Sequence, residues 1–161
     1  VDNGSTDGSI EALSDDSRII LIPAGENLGF GKANNKVLEQ AKGKYIFFLN
    51  SDTLLRNNAI KMLYDFAEQY QGRLGALGCI LEDRQGNRIH SYGQFPKMGN
   101  DFQKFLWIPI LKGLHLYHQP AIEYPEHWMK VDYVTGADLF VSRQVLDACG
   151  AFHPAFFMYY S

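Results

Sequence analysis

The tetrapeptide Asn50-Ser51-Asp52-Thr53 sets a carboxylate among small polar side chains directly after an apolar run, Tyr45-Ile46-Phe47-Phe48-Leu49. Mg²⁺ takes only one or two protein carboxylates when phosphates and water complete its shell, so Asp52 alone suits a cation that holds a phosphate. Asn50 and Ser51 would then bind a sugar or ribose, or shape the loop. The same residues are ordinary turn formers, and this motif by itself leaves both readings open.

Two further polar segments carry chemistry. In Asp2-Asn3-Gly4-Ser5-Thr6-Asp7 the Asp2 carboxylate can accept the N3–H of uracil or thymine, which cytosine lacks, while Gly4 and Ser5 allow close backbone approach. A solvated turn with Asp7 capping a helix is the competing explanation. In Asn27-Leu28-Gly29-Phe30-Gly31-Lys32-Ala33-Asn34-Asn35, two glycines and a lysine fall at a helix start. Free N–H groups and the helix dipole favour anions there. Lys32 could touch a diphosphate and Asn34 a ribose or base. The spacing is not that of a P-loop, and the glycines could instead serve close helix–sheet packing.

The elements that must position these segments alternate. A short helix is expected from Ser9 to Leu13, with Ser5, Thr6 or Asp7 as cap, then a strand over Arg18–Ile22. Phe30, Ala33, Val37, Leu38 and Ala41 recur at helical spacing before Gly43. Lys44–Leu49 reads as a strand buried on both faces. Ala59, Leu63, Phe66, Ala67 and Tyr70 mark a helix opened by Asn57 or Asn58, followed by a strand over Leu74–Leu81. Asp83–Asn87 is a turn and Arg88–Tyr92 its returning strand. Residues 93–129 give no decisive period. Val131–Thr135 and Ala137–Ser142 read as strands, and Arg143–Cys149 as a helix stopped by Gly150. The order predicts a one-domain α/β sandwich over residues 1–161. In a parallel sheet the three polar segments would share one edge, where ligands bind.

The chain has 161 residues, 46% hydrophobic and 20% charged, which suits a globular domain with a core. A net charge of -3 with scattered Lys and Arg gives no reason to expect nucleic acid as a partner. Cys79 and Cys149 lack CxxC spacing and read as reduced, buried thiols of a cytosolic protein. No apolar run reaches the roughly 18 residues of a membrane span. Val1-Asp2-Asn3-Gly4 resembles the tail of a strand, and Phe156–Ser161 stops mid-pattern, so a fragment cut inside a domain at both ends is expected.

Val1–Ser9, Asn27–Phe30 and Phe48–Thr53 together resemble family 2 glycosyltransferases, in particular the bacterial rhamnosyltransferase-like branch. Val134-Thr135-Gly136-Ala137, Gly150-Ala151-Phe152 and Phe156–Tyr160 match later segments of that branch in order. The resemblance covers most of the chain outside 93–129. It implies a GT-A, nucleotide-diphospho-sugar transferase fold: a mixed, mostly parallel sheet flanked by helices, incomplete here at both termini. It implies a nucleoside-diphosphate sugar donor of UDP or dTDP type, Mg²⁺ or Mn²⁺ on the diphosphate, and inversion at the anomeric carbon. The acceptor would be a glycan or lipid-linked sugar in bacterial surface-polysaccharide synthesis, at the cytoplasmic face of the membrane. The implied nucleotide-sugar residues are Asp2, Asn3, Ser5, Asn27, Lys32, Asn34, Asn50, Ser51 and Asp52. Asp52 is the metal ligand, and Gly136, Ala137 and Asp138 lie beside the acceptor.

Departures from the pattern qualify the implied chemistry. Asn50 replaces the first Asp of the family's Asp-X-Asp motif, and Phe152-His153-Pro154 replaces Phe-Asp-Glu. The catalytic base, a carboxylate just after the segment matching Phe156–Tyr160, is expected beyond Ser161. The alternative to an enzyme is therefore a nucleotide-sugar binding module without turnover. Residues 102–111 are expected to fold back over the core, with contact to a membrane or lipid-linked acceptor as the alternative. A sheet lacking its first strand would expose an edge that a second copy could cover. His90, His115, His118 and His127 lack ligand spacing, and His153 reads as a surface-turn residue.

Overall fold

The computed structural model describes residues 1–95, 113 and 127–157. The stretch 102–111, His115, His118 and residues 158–161 lie outside them. The element order is α1 (Ser9–Ser14), α2 (Phe30–Leu38), β1 (Tyr45–Leu49), α3 (Ala59–Gln69), β2 (Ala76–Leu77), β3 (Leu81–Glu82), β4 (Arg88–Ile89), β5 (Tyr92–Gly93), β6 (Tyr133–Val134), β7 (Asp138–Ser142) and α4 (Arg143–Cys149). The chain forms two compact units, Val1–Phe48 with Phe140–Ser161, and Leu49–Leu139.

In the first unit, Gly8 with φ 87° is the N-cap of α1. Asp7 orders the entry from one residue earlier, accepting the Ser9 N–H at 3.1 Å and the Ser9 hydroxyl at 2.6 Å. Helix α2 ends at Leu38, short of the expected Ala41; beyond it Gln40 N–H makes a tighter three-residue turn to the Val37 carbonyl at 3.0 Å, and Ala41 N–H shares that carbonyl at 3.0 Å. Arg143 closes this end by donating to the Leu38 carbonyl at 3.2 Å and to the Ala41 carbonyl. The expected strand at 18–22 forms no ladder. A single parallel bridge joins Asp2 to Pro23, and Ile20 is 77% exposed. Pro23 has no N–H with which to extend the pairing.

Strand β1, expected to be buried on both faces, is instead the outer member of a three-stranded sheet ordered β1-β7-β2, with Phe48 buried and Leu49 39% exposed. Asn50 N–H donates to the Ala137 carbonyl and Arg143 N–H to the Lys44 carbonyl, both at 2.9 Å, so β1 and β7 run antiparallel. Antiparallel pairing also joins β3 to β4 and β5 to β6. The sheet content is mixed, and its parallel share reduces to the Asp2–Pro23 bridge among pairings of established direction. Phe140 stacks on Tyr45 at 5.0 Å, and Ala33, Phe48, Phe140 and Val141 form the buried core of this unit. Helix α4 begins where Ser142 Oγ accepts the Val145 N–H at 3.2 Å and ends at Gly150, φ 83°.

In the second unit, Asn58 Oδ1 caps α3 by accepting the Lys61 N–H, and Leu63 is its buried residue. The expected strand over Leu74–Leu81 is split into β2 and β3. Gly78 lies so near Val134 that a Cβ would stand 3.2 Å from its side chain, and the Cys79 N–H bonds to the Asp138 carboxylate, not to a strand. The expected hairpin forms, Leu81 opposite Ile89 and Glu82 opposite Arg88, but its returning strand ends at Ile89, and Tyr92 pairs with Val134. Asp83 organises its turn by accepting the Gln85 and Asn87 amides at 2.9 and 2.8 Å. Both cysteines are free, and Cys149, expected to be buried, is exposed on the last turn of α4.

Candidate functional site

The first unit gathers one group of the expected residues. Asn3 joins two loops: its Nδ2 donates to Asn27 Oδ1 at 3.0 Å, and its Oδ1 accepts the Leu28 N–H at 2.8 Å. Asn27 Oδ1 also accepts the Gly29 N–H at 3.0 Å. Gly4, φ 87°, allows this approach, since a Cβ there would lie 2.8 Å from the Glu26 carbonyl carbon. Asp2 is 8% exposed, and its Oδ2 accepts the Gly4 and Ser5 N–H groups at 3.1 Å each. The Ser5 hydroxyl first, then these amides, hold its carboxyl below the usual range against the opposing effect of burial. A carboxylate offers about four acceptor positions, so Asp2 retains capacity for a further donor.

The start of α2 differs from expectation. Its first amide, Phe30 N–H, is taken by the Phe157 carbonyl at 2.9 Å. Gly29, φ 79°, is essential to this contact: a Cβ there would stand 2.2 Å from the Phe157 oxygen. An anion at this terminus therefore keeps at most the Gly31 and Lys32 amides, and Lys32 itself is exposed. Asn34, expected to face a ribose, donates its Nδ2 to the Phe30 carbonyl at 2.9 Å within its own helix. Its neighbour Asn35, which no motif singles out, instead binds the Phe152 backbone on both sides, Nδ2 to the carbonyl at 2.7 Å and Oδ1 from the N–H at 3.1 Å. The available signal is its position one turn after Gly31, a buried glycine that lets another segment come close.

The second unit holds the other group. Asn50 and Thr53 close a turn: the Asn50 carbonyl accepts the Thr53 N–H at 3.2 Å and its hydroxyl at 2.7 Å. Ser51 and Asp52 stand exposed at its tip. The turn and ligand readings of this tetrapeptide are thus compatible, because the turn is what presents the carboxylate. The Asn50–Ala137 bond ties this turn to the Gly136–Ala137 loop. Asp138 is 2% exposed and its Oδ2 accepts the Cys79 N–H; its Oδ1 and the Thr135 hydroxyl are buried without a hydrogen-bond partner. Burial raises the Asp138 pKa, opposed first by the Cys79 amide and then by the Cys79 thiol. Burial and the Asp138 charge push the Cys79 thiol to about 11.

No cluster of three or more His, Cys, Asp or Glu suited to a metal occurs among the described residues. His153 lies in a turn, where its Nδ1 accepts the Ala155 N–H at 3.2 Å. A cavity of about 440 Å³ in the second unit is lined by residues including Phe66, Tyr70, Arg73, Trp128 and Lys130, and contains none of the expected site residues. No described helix is long and apolar enough to cross a membrane.

Comparison with known proteins identifies the family. An N-acetylglucosaminyl-diphospho-decaprenol L-rhamnosyltransferase of Mycobacterium tuberculosis is 29% identical over 173 residues, covering 98% of this chain and 55% of the relative. A glycosyltransferase of Haemophilus influenzae is 28% identical, covering 82% of this chain and 57% of its own length. The putative teichuronic acid biosynthesis glycosyltransferase TuaG of Bacillus subtilis is 30% identical over 101 residues, 60% of this chain and 40% of the relative. The chain thus spans about half the length of the curated relatives it matches. No solved structure gives a significant match. The family model described as glycosyl transferase family 2 matches residues 1–122, and the chain belongs to that family.

Proposed function

We propose that residues 1–161 are part of one GT-A catalytic domain. It transfers a hexosyl or rhamnosyl unit, with inversion, from a UDP- or dTDP-sugar to a glycan or lipid-linked acceptor. The observation that carries this reading is the Asn3–Asn27 junction, which gathers Asp2, Ser5 and Asn27 at one place. Asp2 reads the N3–H of the base, while Asn3 and Asn27 fix the loops around it. Exposed Lys32 meets the diphosphate, and Asn34 shapes the helix that carries Lys32.

Asp52, with Asn50 and Ser51 beside it, binds the donor through Mg²⁺ or Mn²⁺. A lone exposed carboxylate fits a cation that arrives with a diphosphate and water, and does not fit a metal cage built wholly from protein. When bound, the cation supplies charge neutralisation for the leaving diphosphate. The Gly136–Ala137 backbone borders the acceptor, and buried Asp138 holds that loop. A carboxylate beyond the Phe156–Tyr160 segment in the longer protein takes the acceptor's proton.

This work belongs at the cytoplasmic face of a bacterial membrane, in surface-polysaccharide synthesis. The mycobacterial relative, whose name specifies a diphospho-decaprenol acceptor, supports the lipid-linked choice. Calorimetry with UDP and dTDP in the presence and absence of Mn²⁺ tests the donor class. Metal-dependent binding of either is expected; equal binding of CDP, or none, would overturn the assignment.

A further inference from the structure

We infer that Asn35 is a positioning residue for the transfer step, holding the segment 152–157 along α2 with its Phe157 end beside the donor-side loops. This rests on the proposed function, in which the base lies just past that segment.

The side-chain amide of Asn35 bonds both the N–H and the carbonyl of Phe152, 117 residues away. A side chain that matches one backbone unit in both directions fixes its place and its orientation, which an apolar contact would not. The Phe152 ring is seated edge-to-face against Phe30 at 5.2 Å and Phe48 at 5.0 Å. The other end is fixed separately by the bond from Phe30 N–H to the Phe157 carbonyl. Between these ends, Phe156 N–H returns to the His153 carbonyl at 3.2 Å, forming a turn.

The direction of the segment matters most. As the chain advances from Phe152 to Phe157, its contacts retreat along α2 from Asn35 to Phe30, about 7.5 Å of helix rise. The segment therefore runs toward Gly29 and Asn27, and Asn27 is bonded to Asn3 beside Asp2. Phe157 is thus held at the start of α2. Gly29 is required at the far end because any side chain would collide with the Phe157 carbonyl. A base displaced by about 1 Å can cost on the order of 10²-fold in rate while leaving substrate affinity intact.

The test uses the full-length protein with the variants Asn35→Leu, Asn35→Asp and Gly29→Ala, read by amide hydrogen exchange and by sugar-transfer kinetics. Asn35→Leu should speed exchange at the Phe152 amide roughly tenfold or more. It should lower kcat by about 10²-fold while donor KM and UDP affinity stay within about twofold. Asn35→Asp, which keeps the acceptor for the Phe152 N–H, should fall between. Gly29→Ala should release the Phe30 amide while Phe152 stays protected, and should also lower kcat, which keeps the test open if Asn35→Leu does not fold. Unchanged protection in Asn35→Leu overturns the clamp. Lost protection with unchanged kcat, or a loss confined to KM, overturns its role in transfer. If the unaltered protein binds UDP but transfers no sugar, the enzymatic reading fails and takes the positioning role with it, while exchange still decides whether the clamp exists.

Discussion

Arg143, the first residue of α4, closes the far end of α2 by donating from its guanidinium to the Leu38 carbonyl at 3.2 Å and to the Ala41 carbonyl. The last carbonyls of a helix lack intrahelical partners, and a cation there also meets the negative end of the dipole. Arg143→Leu should therefore destabilise the chain by roughly 2 kcal/mol, since hydrogen bonds to charged groups are worth about 1.5–3 kcal/mol. Urea unfolding would show the shift in midpoint; an unchanged midpoint would mean that water serves these carbonyls equally well.

Asn3→Ala removes the bonds to Leu28 and Asn27. At about 1 kcal/mol for each neutral hydrogen bond, a loss of roughly 1–2 kcal/mol is expected, together with weaker UDP binding. Denaturation and calorimetry on the same preparation check both. Weaker binding without loss of stability would place Asn3 against the ligand and not between loops.

Asp52→Ala should separate site from fold. Its side chain is exposed at a turn tip, so stability should change by no more than about 0.5 kcal/mol. Metal-dependent nucleotide affinity should disappear. An Asp52→Ala isotherm that still responds to Mn²⁺ would move the cation elsewhere.

Asp138 gives a pH dependence of unusual sign. Burial raises its folded pKa, so the folded chain holds a proton where the unfolded chain has released it. Its favourable contribution is present at acid pH and is lost as pH rises through the folded value. Asp2, Asp7 and Asp16 have lowered pKa values and act oppositely, their contribution being lost as pH falls through those values. Comparing Asp138→Asn with the unaltered chain cancels them. The variant should gain relative stability as pH rises from the ordinary carboxylate range through the raised folded value, and parallel curves would show that Asp138 does not titrate there.

The two thiols should differ in reactivity. With a pKa of about 11, Cys79 is thiolate in only about one molecule in 10³ at pH 8, and it is half-buried. Iodoacetamide should label exposed Cys149 first, as peptide mass spectrometry would show. Asp138→Asn should speed labelling of Cys79 by removing the nearby negative charge.

The range of the forces involved decides which features are legible in the sequence. Helix α4 is readable to the residue because its cap Ser142 and its stop Gly150 act locally. The hairpin is readable because Asp83 organises its own turn. Asn3 and Asn27 are marked by the motif, although their mutual bond is a tertiary fact. No local pattern tells Asn34 from Asn35, adjacent and identical, because a partner 117 residues away decides which one faces inward. Nor could composition show that β1 lies at the sheet margin, since Tyr45–Leu49 reads the same whether one neighbour or two lies alongside. The strand expected at 18–22 has its β-branched residues, but its pairing ends at the single Asp2–Pro23 bridge, where Pro23 offers no N–H.

A neutral carbonyl, that of Phe157, occupies the foremost amide of α2. Under the proposed function, phosphate recognition would then lean on mobile countercharges, Lys32 and a soluble cation, more than on fixed peptide dipoles. Such a grip is tunable by the medium: affinity for a pyrophosphate ligand should fall steeply with ionic strength and depend on the identity of the dissolved divalent ion. Under the proposed function, donor binding would therefore follow the concentration of dissolved divalent ion.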